Sequence, residues 1–128
     1  MGYNITLHNY DFIIAAAEKN NVLQALHNMP DINYSWVSIA EVKKTQTLDE
    51  AMYEWRYKPE YDEGGNVIGI DFCGEKLGSD EEMFAAIAPF VKHGSFIEMH
   101  GEDGAMWRWK FVNGQMKEIS AKIIWDDE

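Results

Sequence analysis

Hydrophobic and polar positions alternate most clearly between Gly94 and Trp125. Successive side chains of a strand point to opposite faces, so a period of two marks a half-buried strand. Over 106–112 the apolar set is Trp107, Trp109 and Phe111, separated by Arg108 and Lys110. Over 115–125 it is Ile119, Ala121, Ile123 and Trp125, opposed by Glu118, Ser120 and Lys122. Over 95–100 Ile97 and Met99 oppose Phe96, Glu98 and His100. Two turn signals separate these runs: Gly101-Glu102-Asp103-Gly104, and Asn113-Gly114, whose residues both tolerate positive φ and suit a two-residue hairpin. The pattern predicts three antiparallel strands with one dry and one wet face, covered on one side by helices.

The preceding residues change period repeatedly. Tyr3, Ile5 and Leu7 alternate as a first strand, Asn9-Tyr10-Asp11 reads as a turn, and 12–14 as a second short strand. Val22, Ala25, Leu26 and Met29 fall on one face of a 3.6-residue period, which predicts a helix over 16–29 stopped by Pro30. Residues 34–39 fit a strand or an ordered loop anchored by Trp36, and 42–45 read as a basic solvated loop. Thr47-Leu48-Asp49-Glu50 is a capping-box pattern, opening a helix with Leu48, Ala51, Met52 and Trp55 inward. Residues 56–62 and 67–73 form a predicted hairpin around the turn at 62–66, with Ile68, Ile70 and Phe72 opposing Gly69, Asp71 and Cys73. After a turn at 74–78, Ser79-Asp80-Glu81-Glu82 repeats the capping-box pattern, with Met83, Phe84, Ile87 and Ala88 as the inward face before Pro89. Without repeats, low-complexity runs or a linker, residues 1–128 read as one domain. Its fold class is α+β: two layers, an antiparallel meander-type sheet with two to three helices on one face.

Charge adds the first functional constraint. The chain carries 22 acids against 11 Lys and Arg, a net of −11. Residues 1–59 hold 7 acids and 5 bases, whereas 60–128 hold 15 acids and 6 bases. Such a field repels nucleic acid and anionic lipid and attracts basic partners, although acidity also serves plain solubility. No apolar run approaches the roughly 20 residues that span a bilayer, and the first residues lack the pattern of an export signal. The single Cys73 allows no internal disulfide, so a cytoplasmic location is the expectation.

Catalytic patterns are missing. There is no phosphate-binding glycine loop, no serine or cysteine set beside a base, and no carboxylate pair distinguished by spacing. His8, His27, His93 and His100 show no ligand spacing. Glu98 and His100 share a strand face that Asp71 could join, but cross-strand polar pairing explains them more simply. The turns at 62–66 and 102–104 lack the alternating oxygen ligands of a calcium loop. Trp107, Trp109 and Phe111 could form a stacking platform for single strands or sugars, yet core packing accounts for them better in so acidic a chain.

The segments GEKLGSDEEMF (74–84), AIAPFV (86–91), GSFIEM (94–99) and GEDGAMWRWKF (101–111) resemble a group of short bacterial proteins with no assigned activity. The resemblance spans about half the chain and implies no site residues. The expectation is therefore a non-enzymatic, acidic binding or inhibitor module for a basic partner protein, of the immunity-protein or antitoxin type. It would use neither cofactor nor metal and make no direct nucleic-acid or membrane contact. Its partner-facing acids would be Asp62, Glu63, Asp80, Glu81, Glu82, Glu102 and Asp103. The alternatives are an anti-CRISPR-like anti-defence protein of a phage or mobile element that mimics nucleic-acid charge, and a small enzyme or ligand-binding domain.

Overall fold

The structure, a computed structural model, describes residues 4–32, 34, 37–74 and 79–121. Its elements run β1 (Ile5–Asp11), α1 (Lys19–His27), α2 (Ile39–Lys43), α3 (Leu48–Glu54), β2 (Tyr57–Tyr61), β3 (Val67–Phe72), α4 (Asp80–Ile87), β4 (Phe96–Gly101), β5 (Met106–Val112) and β6 (Gln115–Ser120). Short 3-10 turns precede α1 at Ala16–Glu18 and follow α4 at Ala88–Phe90. The fold is α+β with antiparallel sheets, and β4, β5 and β6 form the expected meander.

Strand β1 returns to the far edge, giving a four-stranded sheet in the order β1-β4-β5-β6, while β2 and β3 pair separately as a two-stranded sheet. The expected single sheet is thus two. Residues 9–11, read as a turn, instead continue β1, which pairs with β4 along its length; a bulge between Leu7 and Asn9 makes His8 the extra residue. The 12–14 segment forms no strand of its own, and Ile14 makes one bridge to Val67.

The Asn113-Gly114 turn has φ of 51° and 80°, the positive pair of a two-residue hairpin. It aligns Val112 with Gln115, so Trp109 pairs with Glu118 and Phe111 with Met116. Paired residues share a face, which overturns the expected inward Ile119: it pairs with Arg108 on the open face and is 46 % exposed. The expected extension of this strand through 122–125 lies outside the described residues. A second bulge, between Glu60 and Tyr61, likewise puts Ile68 outward at 46 % exposure.

On the covered face Ile97, Met99, Trp109 and Phe111 are buried. The cover comes from Phe84 of α4, whose ring lies 5.1 Å from both Trp109 and Tyr57 and 6.2 Å from Phe12. Such edge and tilted aromatic contacts contribute about 0.5–1.5 kcal/mol each beyond burial. Trp109 and Phe111 are therefore core, and half-buried Trp107 packs against them. Helix α3 packs chiefly against α1, α2 and β2. Its capping box forms, with the Glu50 amide donating to Thr47 Oγ1 at 3.2 Å and the Thr47 amide donating to Glu50 Oε1. Helix α2 takes in the end of the stretch read as a strand or ordered loop and the first two residues of the one read as a basic loop, because Ile39 and Val42 are one turn apart and both are buried. Trp36 and residues 75–78 lie outside the described residues.

Candidate functional site

The seven predicted acids fall on three separate elements. Asp62 builds the β2–β3 turn, accepting from the amides of Gly64 and Asn66 at 2.9 Å and from Asn66 Nδ2 at 3.0 Å. These donors, the Asn66 side chain foremost, hold its carboxyl below the usual range. Glu63 is exposed beside it. At the β4–β5 turn Glu102 Oε1 accepts from the Asn4 amide at 2.6 Å, and Asp103 accepts from the Ala105 amide at 3.0 Å. Both turns thus use their acids to shape the backbone.

Asp80 has to be taken out of the acidic surface. It opens α4 but is 2 % exposed, and its Oδ2 accepts the Tyr57 hydroxyl at 2.7 Å. Burial and the adjacent Asp80 push the Tyr57 hydroxyl well above its ordinary range. The Ser79 side chain makes no capping bond to the helix amides, so this second capping box does not form. Asp80 instead faces inward and ties α4 to β2.

Glu81 and Glu82 are exposed. Partial burial and then the nearby Glu118, Asp80 and Glu82 raise the Glu81 carboxyl. Glu118, absent from the predicted set, reaches α4 because the β6 register turns it to the covered face, where it accepts from Trp109 Nε1 at 2.8 Å.

Glu82 also stands on the rim of a groove of about 510 Å³ between α1 and α4. Ala25 of α1 and Met29, just past its end, line it together with Ala85 and Ala86 of α4. Alanines at these positions leave space that longer side chains would fill. Ile32 and Tyr34 complete the lining, and Ile32 is 56 % exposed. The Tyr34 hydroxyl is raised by burial, then by the charges of Glu82 and Asp31. Asp31 and Ile32 sit in the weakly patterned stretch after Pro30, where no sequence signal marks a site.

A second cleft, of about 470 Å³, lies between α1 and the start of α3. Three of its polar side chains engage one another: the Tyr61 hydroxyl donates to Asp49, and Lys19 Nζ lies 4.9 Å from the Tyr61 ring centre.

The open sheet face carries a third cluster. Glu98 Oε2 is 2.9 Å from His100 Nε2, and Arg108 Nε donates to Glu98 Oε1 at 2.8 Å. His100 and then Arg108 hold the Glu98 carboxyl below its usual range. The anticipated third member, Asp71, belongs to the other sheet and pairs with Lys58. His8 takes that place, its ring stacked 3.9 Å from His100.

No protein-family model, curated protein or solved structure was found to match the chain. Among the described residues no helix is long and apolar enough to cross a membrane.

Proposed function

We propose that this chain is a small acidic protein-binding module, an inhibitor of the immunity-protein or antitoxin type, that engages a basic partner through the α1–α4 groove. The observation that carries the reading is a largely apolar groove lined by the exposed Ile32 and bordered by Glu82, with Asp31 next to Ile32 in the chain. A complementary partner would present an amphipathic segment, with one or two aliphatic side chains for the groove and Lys or Arg for its rim. The net charge of −11 favours fast encounter with such a partner. A nucleic-acid mimic that blocks a nuclease would need acids but no apolar anchor, so the groove favours the immunity-protein or antitoxin type over charge mimicry.

The probe is a synthetic helical peptide with leucines on one face and lysines on the other, titrated by calorimetry. One-to-one binding that weakens as salt rises is expected. Ile32→Asp should abolish it. Glu82→Gln with Asp31→Asn should weaken it by roughly 2–30-fold, from about 0.2–1 kcal/mol per charge. Neutralising Asp62, Glu63, Glu102 and Asp103 together should change it little. Equal binding of a scrambled, non-amphipathic peptide, or indifference to Ile32→Asp, would reject the reading.

A further inference from the structure

We propose that His8, Glu98 and His100 form a zinc(II) site on the open face of the four-stranded sheet. Each offers one donor atom, and the three atoms lie within 4.8 Å of one another. Two imidazoles with one carboxylate suit a borderline transition ion; calcium and magnesium prefer all-oxygen sets.

The backbone organises the donors. Glu98 and His100 are alternate residues of β4, so both point to the open face, and their donor atoms are already 2.9 Å apart. In β1, Thr6 pairs with His100 and Asn9 with Glu98. The bulged His8 falls between these two pairings, level with both β4 donors. Re-aiming a side chain in this way is a common role of a bulge. Zinc bonds of about 2.0–2.2 Å in a tetrahedron require donors roughly 3.4 Å apart. The two β4 donors need only a small separation to reach this. The His8 ring, nearly parallel to His100 at 14°, must tilt out of its stack, and its exposure leaves room for that.

Arg108 completes the arrangement from outside. It binds Glu98 Oε1 and leaves Oε2 facing the imidazoles. Its own position is supported by the Phe96 ring, 4.8 Å from its guanidinium carbon. Such outer partners orient metal-binding carboxylates. The positive charge of Arg108 opposes that of the ion, so affinity should fall below that of a closed four-ligand site. Three protein donors leave a fourth position toward solvent, the pattern of an open rather than a structural zinc site.

The test uses the full chain without a histidine tag. Zinc(II) is titrated in competition with a chromophoric chelator, and cobalt(II) replaces zinc to report coordination through its visible d–d bands. One equivalent should bind, with tetrahedral cobalt bands. His8→Ala, at an exposed position that leaves the sheet intact, should weaken binding at least about 100-fold, the upper cost of losing an outer partner. Glu98→Gln and His100→Asn should do the same, while His27→Ala and His93→Ala change nothing. Absence of saturable one-to-one binding, or binding that survives His8→Ala within about threefold, overturns the proposal. Either result leaves the peptide-binding reading untouched, since the groove lies on other elements.

Discussion

Replacing Tyr57 by Phe isolates the contact that distinguishes a buried Asp80 from a surface one. The ring stays, keeping its contacts at 5.0 Å to Phe72 and 5.1 Å to Phe84, and only the hydroxyl is lost. That hydroxyl donates to Asp80 at 2.7 Å, and neither residue is more than 2 % exposed. A hydrogen bond to a charged group contributes about 1.5–3 kcal/mol, so Tyr57→Phe should cost that much. In urea, with a slope of roughly 1–3 kcal/mol/M, the midpoint should fall by about 1 M. Glu82→Gln, exposed on the same helix, should stay within about 0.5 kcal/mol of the parent. A double-mutant cycle with Asp80→Ala should return a coupling energy of about 1 kcal/mol or more. The same contact sets an alkaline limit. The Tyr57 hydroxyl is raised in the folded state, so its contribution is full below the unfolded value near 10 and is lost as pH rises toward the folded one. Stability should therefore decline above about pH 10, less steeply in Tyr57→Phe. A Tyr57→Phe protein within about 0.5 kcal/mol of the parent would refute the anchoring role and return Asp80 to the acidic surface.

Two further changes probe the core and the acidic cluster. Phe84→Ala should cost about 3–5 kcal/mol, because this one ring joins α4 to Phe12, Tyr57, Trp109 and Phe111; chemical denaturation measures it. Glu81→Gln should stabilise the fold by a few tenths of a kcal/mol at neutral pH, since burial, Glu118, Asp80 and Glu82 together disfavour its charge. A raised carboxyl penalises the folded state only when ionised, so this gain should vanish as pH falls below its unfolded value near 4.5, as denaturation across pH would register.

What could be read from the sequence divides along the range of the interactions. Helix faces were legible: Val22 and Leu26 are buried and Ala25 partly so, Met29 is buried just past the helix end, and Leu48, Ala51, Met52 and Trp55 are all buried. The meander was legible because its turns are local. The face of β6 was misread even though the decisive signal was present. A two-residue turn at 113–114 forces odd residues of β5 to pair with even residues of β6, so inward Trp109 and Phe111 demand inward Glu118 and Met116. The hydrophobic pattern within β6 alone does not carry that constraint. The pairing of β1 with β4 spans most of the chain and has no local signature, and the bulge that presents His8 follows from it. The groove was illegible for a related reason. Its walls join alanines of two helices distant in sequence to the stretch after α1, and Ile32 gains meaning only once α4 lies beside it.

The binding face is tested most directly by amide chemical-shift mapping on isotope-labelled protein during titration with the amphipathic lysine–leucine peptide. The α1–α4 reading requires the largest shifts at Ala25, Met29, Ile32, Ala85 and Ala86, with smaller ones at Asp31 and Glu82. Shifts concentrated at Asp62 and Glu63, at Glu102 and Asp103, or on the open sheet face around Ile119 would contradict it.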